Sequence, residues 1–241
     1  MIKFFRHIRK SLLEQNQMGK YFKYAIGEIL LVVIGILIAL QINNWNERRK
    51  ATIEGLVLLE NIYEDIKYNL DKIDFVYAWD STQNDRNKKL IQLLFDQNST
   101  YHDSLEIYFG SVTRYEVFSP RRTAYETLKT KGLELIRNKT LRSKITELYD
   151  EVYVLNDMVL EFRKEIHLKH VPIFNNRFLT LDEVEYKVPI DFNSLKNDKK
   201  FINTLSYILA ESDNFLEHHN NMRAQTKQLR DIIFEELKSH D

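Results

Sequence analysis

The sequence predicts an all-α protein: an N-terminal transmembrane helix continuing into an extracytoplasmic antiparallel helical bundle. Three observations predict it. Six Gly and three Pro punctuate 241 residues, where average usage would give about 29; so few breakers favour long helices over a sandwich, a barrel or a Gly-rich phosphate loop. Apolar residues recur at helical spacing through most of the chain. Near the N-terminus, Ile29–Leu40 carries no polar side chain.

The apolar run comes first. Residues 25–42 form an 18-residue stretch interrupted only by Glu28 and Gln41. At helical rise this spans roughly 27 Å, close to a bilayer core. Tyr21, Phe22 and Tyr24 precede it and Trp45 follows it, where interfacial aromatic belts lie. The competing readings are a buried core helix and a cleaved signal peptide. No small-x-small site follows the run, because Ala39 at −3 would place Gln41 at −1, so the sequence reads as an uncleaved signal anchor.

Charge orients it. The formal net charge is zero, which argues against a nucleic-acid partner, but the zero is a cancellation. Residues 1–50 hold nine Lys/Arg and three Asp/Glu, a net of +6; the remaining 26 and 32 give −6. Lys3, Arg6, Arg9, Lys10, Lys20 and Lys23 precede the span against Glu14 alone, and such a cluster stays cytoplasmic. The expected organisation is a basic amphipathic cytoplasmic segment at 1–24, a transmembrane signal anchor at 25–45, and an extracytoplasmic bundle at 46–241, held in the inner (cytoplasmic) membrane. Ile2, Phe5, Ile8 and Leu12 recur beside Lys3, Arg6, Arg9 and Lys10. This fits either an interfacial helix on anionic lipid or an ordinary basic segment. Glu28 is an intramembrane carboxylate, a functional candidate by default, or a side chain reaching the inner headgroups. Gly35 and Ala39 form a small-xxx-small pair through which two spans could associate.

Beyond the anchor, Leu56, Leu59, Ile62, Ile66, Leu70, Ile73 and Tyr77 predict an amphipathic helix to about Asp96. Residues 101–118 are aromatic-rich and ambiguous. Ser119-Pro120 reads as an N-cap with Pro at N1, opening a helix to about Thr130. Gly132 fits the left-handed position past a helix end. Asn138 is a candidate N-cap for a helix to about His170, stopped by Pro172. Thr180 and Glu183 fit a capping box for a short helix ended by Pro189. A final helix from near Asn197 to about Lys238 carries the seam Phe201, Leu205, Ile208, Ser212, Phe215, His219, Met222, Thr226, Leu229 and Ile233.

Chemistry is sparse. With no Cys, there are no disulfides, thiolate metal sites or cysteine nucleophiles. Nucleophile-elbow, P-loop and zincin patterns do not occur, so no catalytic residue, metal ligand or cofactor is assigned. His167 and His170 stand one turn apart near Glu161 and Glu165; a solvated helix end explains them better than a metal. His218 and His219 are consecutive and point about 100° apart, with His219 at a core edge. The segment 119–142 is densest in signals. Thr123, Tyr125, Gly132, Asn138 and Arg142 form either a locked interhelical corner or a binding pocket.

Two stretches carry a family resemblance. AIGEI (25–29) with IGILIALQINNWNE (34–47) resembles the start of an uncharacterised bacterial family, domain of unknown function 6090. TAYETL (123–128), GLELIRN (132–138) and Leu141-Arg142 resemble its second signature, although relatives carry an extra small residue before the glycine, where this chain has Lys131. The likeness extends over essentially the whole chain. It implies an anchored protein of unknown activity and supplies no catalytic residues. The expected function is a non-enzymatic partner-binding or sensing module of the cell envelope, with the lipid bilayer, a second copy or another envelope protein as partner. The alternatives are an envelope enzyme, hydrolase-like, with a pocket near Tyr125 and Arg142, and an oligomeric pore around Glu28.

Overall fold

The computed structural model describes residues 18–180 and 185–240; the proposed surface helix at Ile2–Leu12 lies outside them. The chain divides into two compact units, residues 1–55 and 56–241. The first contains the beginning of α1 (Met18–Phe95), a single 78-residue helix. Its 18-residue apolar window has a mean hydropathy of 2.6 and is long enough to cross a membrane. None of that window is buried, and from Ile29 to Leu40 the large side chains are 44–63 % exposed. Trp45 and Phe22 are exposed at either end of the stretch.

Among the described residues, the second unit is built from the rest of α1 and six further α-helices: α2 (Glu106–Ser111), α3 (Thr123–Lys131), α4 (Lys139–Glu147), α5 (Tyr153–Asn175), α6 (Phe192–Asn197) and α7 (Lys199–Lys238). A π-helical turn, Leu148–Val152, joins α4 to α5 without a break. A two-stranded antiparallel ribbon, β1 (Phe178–Thr180) and β2 (Lys187–Pro189), precedes α6. Cross-contacts fix the directions. Along α1, Asp74 meets Arg223 and Asn84 meets Asp213, so α7 runs antiparallel to α1. Asp80, Asn69 and Asp65 meet Glu116, Arg121 and Ala124, so residues 116–131 descend along α1. Asn69 meets Tyr153 and Asp80 meets Arg163, so α5 ascends again. The bundle is therefore up-down-up-down, as the short corner at Gly132 requires.

The apolar spacing predicted for α1 and α7 is the buried spacing. Leu59, Ile62, Ile66, Leu70 and Ile73 are buried, and every seam position of α7 is buried or half-buried. These residues feed two separate cores. The first gathers Ile62, Ile66, Tyr125, Tyr149, Tyr153 and Ile233. The second gathers Leu90, Phe109, Phe174, Phe178, Phe201 and Leu205. The wide π turn lets Tyr149 and Tyr153 both face inward, edge to face at 5.2 Å, with Tyr149 stacked on Tyr125 at 4.5 Å.

Four local expectations are corrected. The helix expected at Ser119-Pro120 begins at Thr123. The buried amide of Asn69 holds the Arg121 backbone outside the helix, accepting from its N–H at 2.7 Å and donating to its carbonyl at 3.1 Å. The cap comes from another helix: Asp65 Oδ2 accepts from the Ala124 N–H at 3.0 Å. Asp65→Ala is expected to cost about 1–2 kcal/mol, read as a shift in the urea midpoint. Gly132 does have positive φ, but at φ 120 and ψ 122 it lies outside the left-handed helical region, in backbone space that glycine alone enters freely. Pro172 does not stop α5, which runs to Asn175. In the last turn a proline removes a single N–H, Phe174 is drawn into the second core, and Arg177 Nη1 donates to the Ile173 carbonyl at 2.6 Å. Thr180 ends a strand rather than capping a helix, and residues 181–184 of the proposed capping box lie outside the described residues. The ribbon packs close to α2: a Cβ on Gly110 would lie 1.8 Å from the Glu185 carbonyl oxygen.

Candidate functional site

Between the two cores the inward face of α1 turns polar. Continuing the 3–4 spacing beyond Tyr77 reaches Asp80, Gln83, Asn84 and Asn87, all buried, before Leu90 restores apolar packing. Three helices answer this belt. Arg163 of α5 forms a bidentate pair with Asp80, at 2.5 and 2.9 Å. Asp213 of α7 accepts from Asn84 Nδ2 at 2.7 Å and Lys88 Nζ at 3.0 Å. Ser111 of α2 donates to Asn87 Oδ1 at 2.8 Å. The Arg163 guanidinium is further sandwiched by the rings of Tyr115 at 4.7 Å and Phe215 at 5.0 Å.

A cleft of about 600 Å³, counting the space open to solvent, enters this belt. Its polar wall includes Asn84, Arg114 and Arg163, and its apolar wall Ile166, Phe174 and Phe215. His167 and His170 both line it, half-buried rather than on a solvated helix end. His167 stands edge-on to Tyr115 at 5.3 Å and His170 lies 5.6 Å from Tyr207. Arg114 Nη1 forms an ion pair with Glu185 at 3.3 Å, and the guanidinium covers the Trp79 ring at 4.9 Å. Among the described residues, no group of three or more His, Asp and Glu side chains is arranged to hold a metal ion.

His219, expected at a core edge, is instead 1 % exposed in the belt, with Nδ1 3.7 Å from Asp80 Oδ2. Burial pushes its imidazole down to about 4, with Arg163 and His218 acting the same way and Asp80 opposing. It is therefore neutral at pH 7, and the approach to Asp80 is not an ion pair there. Burial also lowers His167, His170 and His218. At His219 the unfolded chain binds a proton below about pH 6.5 that the folded chain refuses until about pH 4, and the other three act in the same direction, so stability falls as pH falls through that window. Lowering the pH from 7.5 to 5 is expected to lower the melting temperature. His219→Gln should reduce the pH-dependent loss by about 2 kcal/mol at pH 5. An equal loss in the variant would place the effect elsewhere.

The sequence-predicted residues occupy a different place, the corner between α3 and α4. Thr123 is exposed at the start of α3, its carbonyl accepting from Thr127 at 2.9 Å. Tyr125 is buried in the first core, and its hydroxyl donates to Asp150 at 2.6 Å. Burial, followed by that carboxylate, raises the phenol well above its ordinary range. Asn138 is the N-cap of α4, accepting from the Leu141 N–H at 3.1 Å, and its Nδ2 donates to Glu236 at 2.8 Å. Arg142 Nη1 donates to the Ile136 carbonyl at 3.5 Å. Each of these groups meets a different partner: Thr127, Asp150, Leu141 with Glu236, and the Ile136 carbonyl. Sequence reasoning misses the belt when the α1 pattern is followed only as far as its apolar members; polar residues continuing a buried 3–4 register are the available signal.

No curated protein and no solved structure matches this chain. One family model does, described as a family of unknown function, DUF6090, and it covers residues 28–180. The match takes in most of the apolar span, the α1 side of the belt, the corner and Arg163, and stops before α7, so it is narrower than the whole-chain likeness expected from the motifs. With well over half of its residues matched, the chain belongs to the DUF6090 family of unknown function.

Proposed function

We propose that this protein is a single-pass membrane protein, anchored by residues 25–45, whose helical second unit is a non-enzymatic binding or sensing module on the extracytoplasmic side. One observation carries the reading: every large apolar side chain from Ile29 to Leu40 is uncovered. A run of this length left in water would be an aggregation site, and lipid is the solvent that suits it. The basic excess before the span supports a cytoplasmic N-terminus. Nothing lies within 4 Å of the position a Cβ would take at Gly35, which supports self-association of spans through the Gly35/Ala39 face. For the binding surface we favour the belt cleft over the corner, because the polar groups of Tyr125, Asn138 and Arg142 have internal partners.

Membrane fractionation tests the anchor. The protein should resist alkaline carbonate extraction, and replacing Ile34 and Leu37 together with Arg should release it. A phosphatase fused to the C-terminus should be active only in the proposed orientation, whereas a fluorescent fusion glowing there would reverse it.

A further inference from the structure

We propose that the cleft between the two cores binds a small, net-neutral organic molecule that has an apolar body and donates an N–H or O–H hydrogen bond to Asn84. The inference deepens the reading of this cleft as the binding surface and rests on it.

Asn84 supplies the first argument. Its Nδ2 donates to Asp213 Oδ1 at 2.7 Å. An ionised carboxylate only accepts, so the amide cannot be turned around without losing that bond. Its Oδ1 is thereby held in place as an acceptor, and it is buried with no partner on a residue 2 % exposed. Natural proteins pair nearly all such atoms. A donor entering the cleft would complete it.

Charge supplies the second. Among the cleft residues, Asp80 and Glu211 balance Arg114 and Arg163. Both ends of the Asp80–Arg163 pair already face each other, and Arg114 is paired with Glu185. Among the described residues the one charge left to answer an ionic ligand is Glu211, a partly exposed carboxylate, and burying an unpaired charge is costly. Phosphates therefore find no free cation, and a simple cation finds only a carboxylate that water already screens. The third argument is the apolar wall, where Ile166, Phe174, Ile208 and Phe215 offer a surface for hydrocarbon or an aromatic ring.

The test uses the full chain in detergent and four matched probes. Benzamide is neutral and donates N–H bonds. N,N-Dimethylbenzamide is neutral without a donor. Benzoate and benzylammonium are charged. Binding is read as protection from hydrogen exchange in peptides covering Asn84 and Ile166–Phe174, which partition of a probe into detergent would not mimic. Benzamide is expected to protect both peptides, with each other probe at least about tenfold weaker. Asn84→Leu should erase the preference for benzamide over its dimethyl analogue. Should that variant fail to fold, Val171→Trp fills the cleft without touching these hydrogen bonds and should abolish protection. Equal protection by all four probes overturns the inference, as does none at millimolar benzamide, which would leave water alone in the cleft. Stronger protection by a charged probe overturns it while leaving the cleft as the binding surface. Protection confined to other peptides overturns both.

Discussion

Arg163→Met is expected to lower the unfolding free energy by about 3–5 kcal/mol, the usual consequence of removing one partner of a buried ion pair. Arg163 is 8 % exposed and Asp80 5 % exposed. After the substitution Asp80 would retain only the Glu116 N–H at 3.5 Å and a neutral His219. Most of the loss is the cost of a stranded carboxylate rather than the worth of the pair. Hence the double substitution Asp80→Leu with Arg163→Met should recover most of the stability, because an apolar pair of similar volume needs no desolvation. Urea unfolding at pH 7.5 of the full chain in mild detergent measures both. A single variant within about 1 kcal/mol of the parent, or a double variant no better than the single, would show that the pair is not the keystone of the belt.

Phe201→Ala should be comparably severe, at about 3–5 kcal/mol, but its effect should be local. Phe201 is fully buried in the second core, against the rings of Phe174 at 5.5 Å and Phe178 at 5.6 Å. The polar belt separates this core from the first, so apolar contact is not continuous along the bundle. Hydrogen exchange in the variant should accelerate around Phe109 and Phe174 while peptides around Ile66 and Tyr149 keep their protection. Equal acceleration in both would mean that the belt transmits cooperativity as well as apolar packing does.

These two substitutions mark where sequence reasoning held and where it stopped. The helical elements could be read directly, because α1 and α7 bury one continuous stripe and a 3–4 spacing is the imprint such a stripe leaves on a helix. The Asn138 cap is a local event within four residues and was equally readable. Pro120 does not open a helix, because Asn69, more than fifty positions earlier, holds the backbone beside it. Pro172 does not stop α5 for a similar reason: the helix continues because Phe174 and Arg177 find partners at Phe201 and Asp198. Thr180 carries a capping pattern, yet it belongs to a ribbon whose partner strand is Lys187–Pro189.

The candidate site shows the same division more sharply. Asp80, Asn84 and Asn87 look like ordinary solvated positions when read alone, and Arg163 lies in a helix rich in charge. Their shared meaning appears only when α1, α5 and α7 are brought side by side, since a buried carboxylate is tolerated only opposite its cation. His219 likewise sits on a seam that periodicity identifies, but its neutral state depends on burial that neighbouring helices supply.

Composition, periodicity and the uninterrupted run at Ile29–Leu40 are enough to establish helices and an apolar span, because each depends on residues close together in the chain. The packing of distant segments decides the rest: two cores, a charged belt between them, and a buried, unpaired carbonyl on Asn84, a residue that lines the cleft. Hydrophobic patterning records which face of a helix is inward. It does not record what that face will meet, and in this protein that meeting decides where the polar chemistry collects.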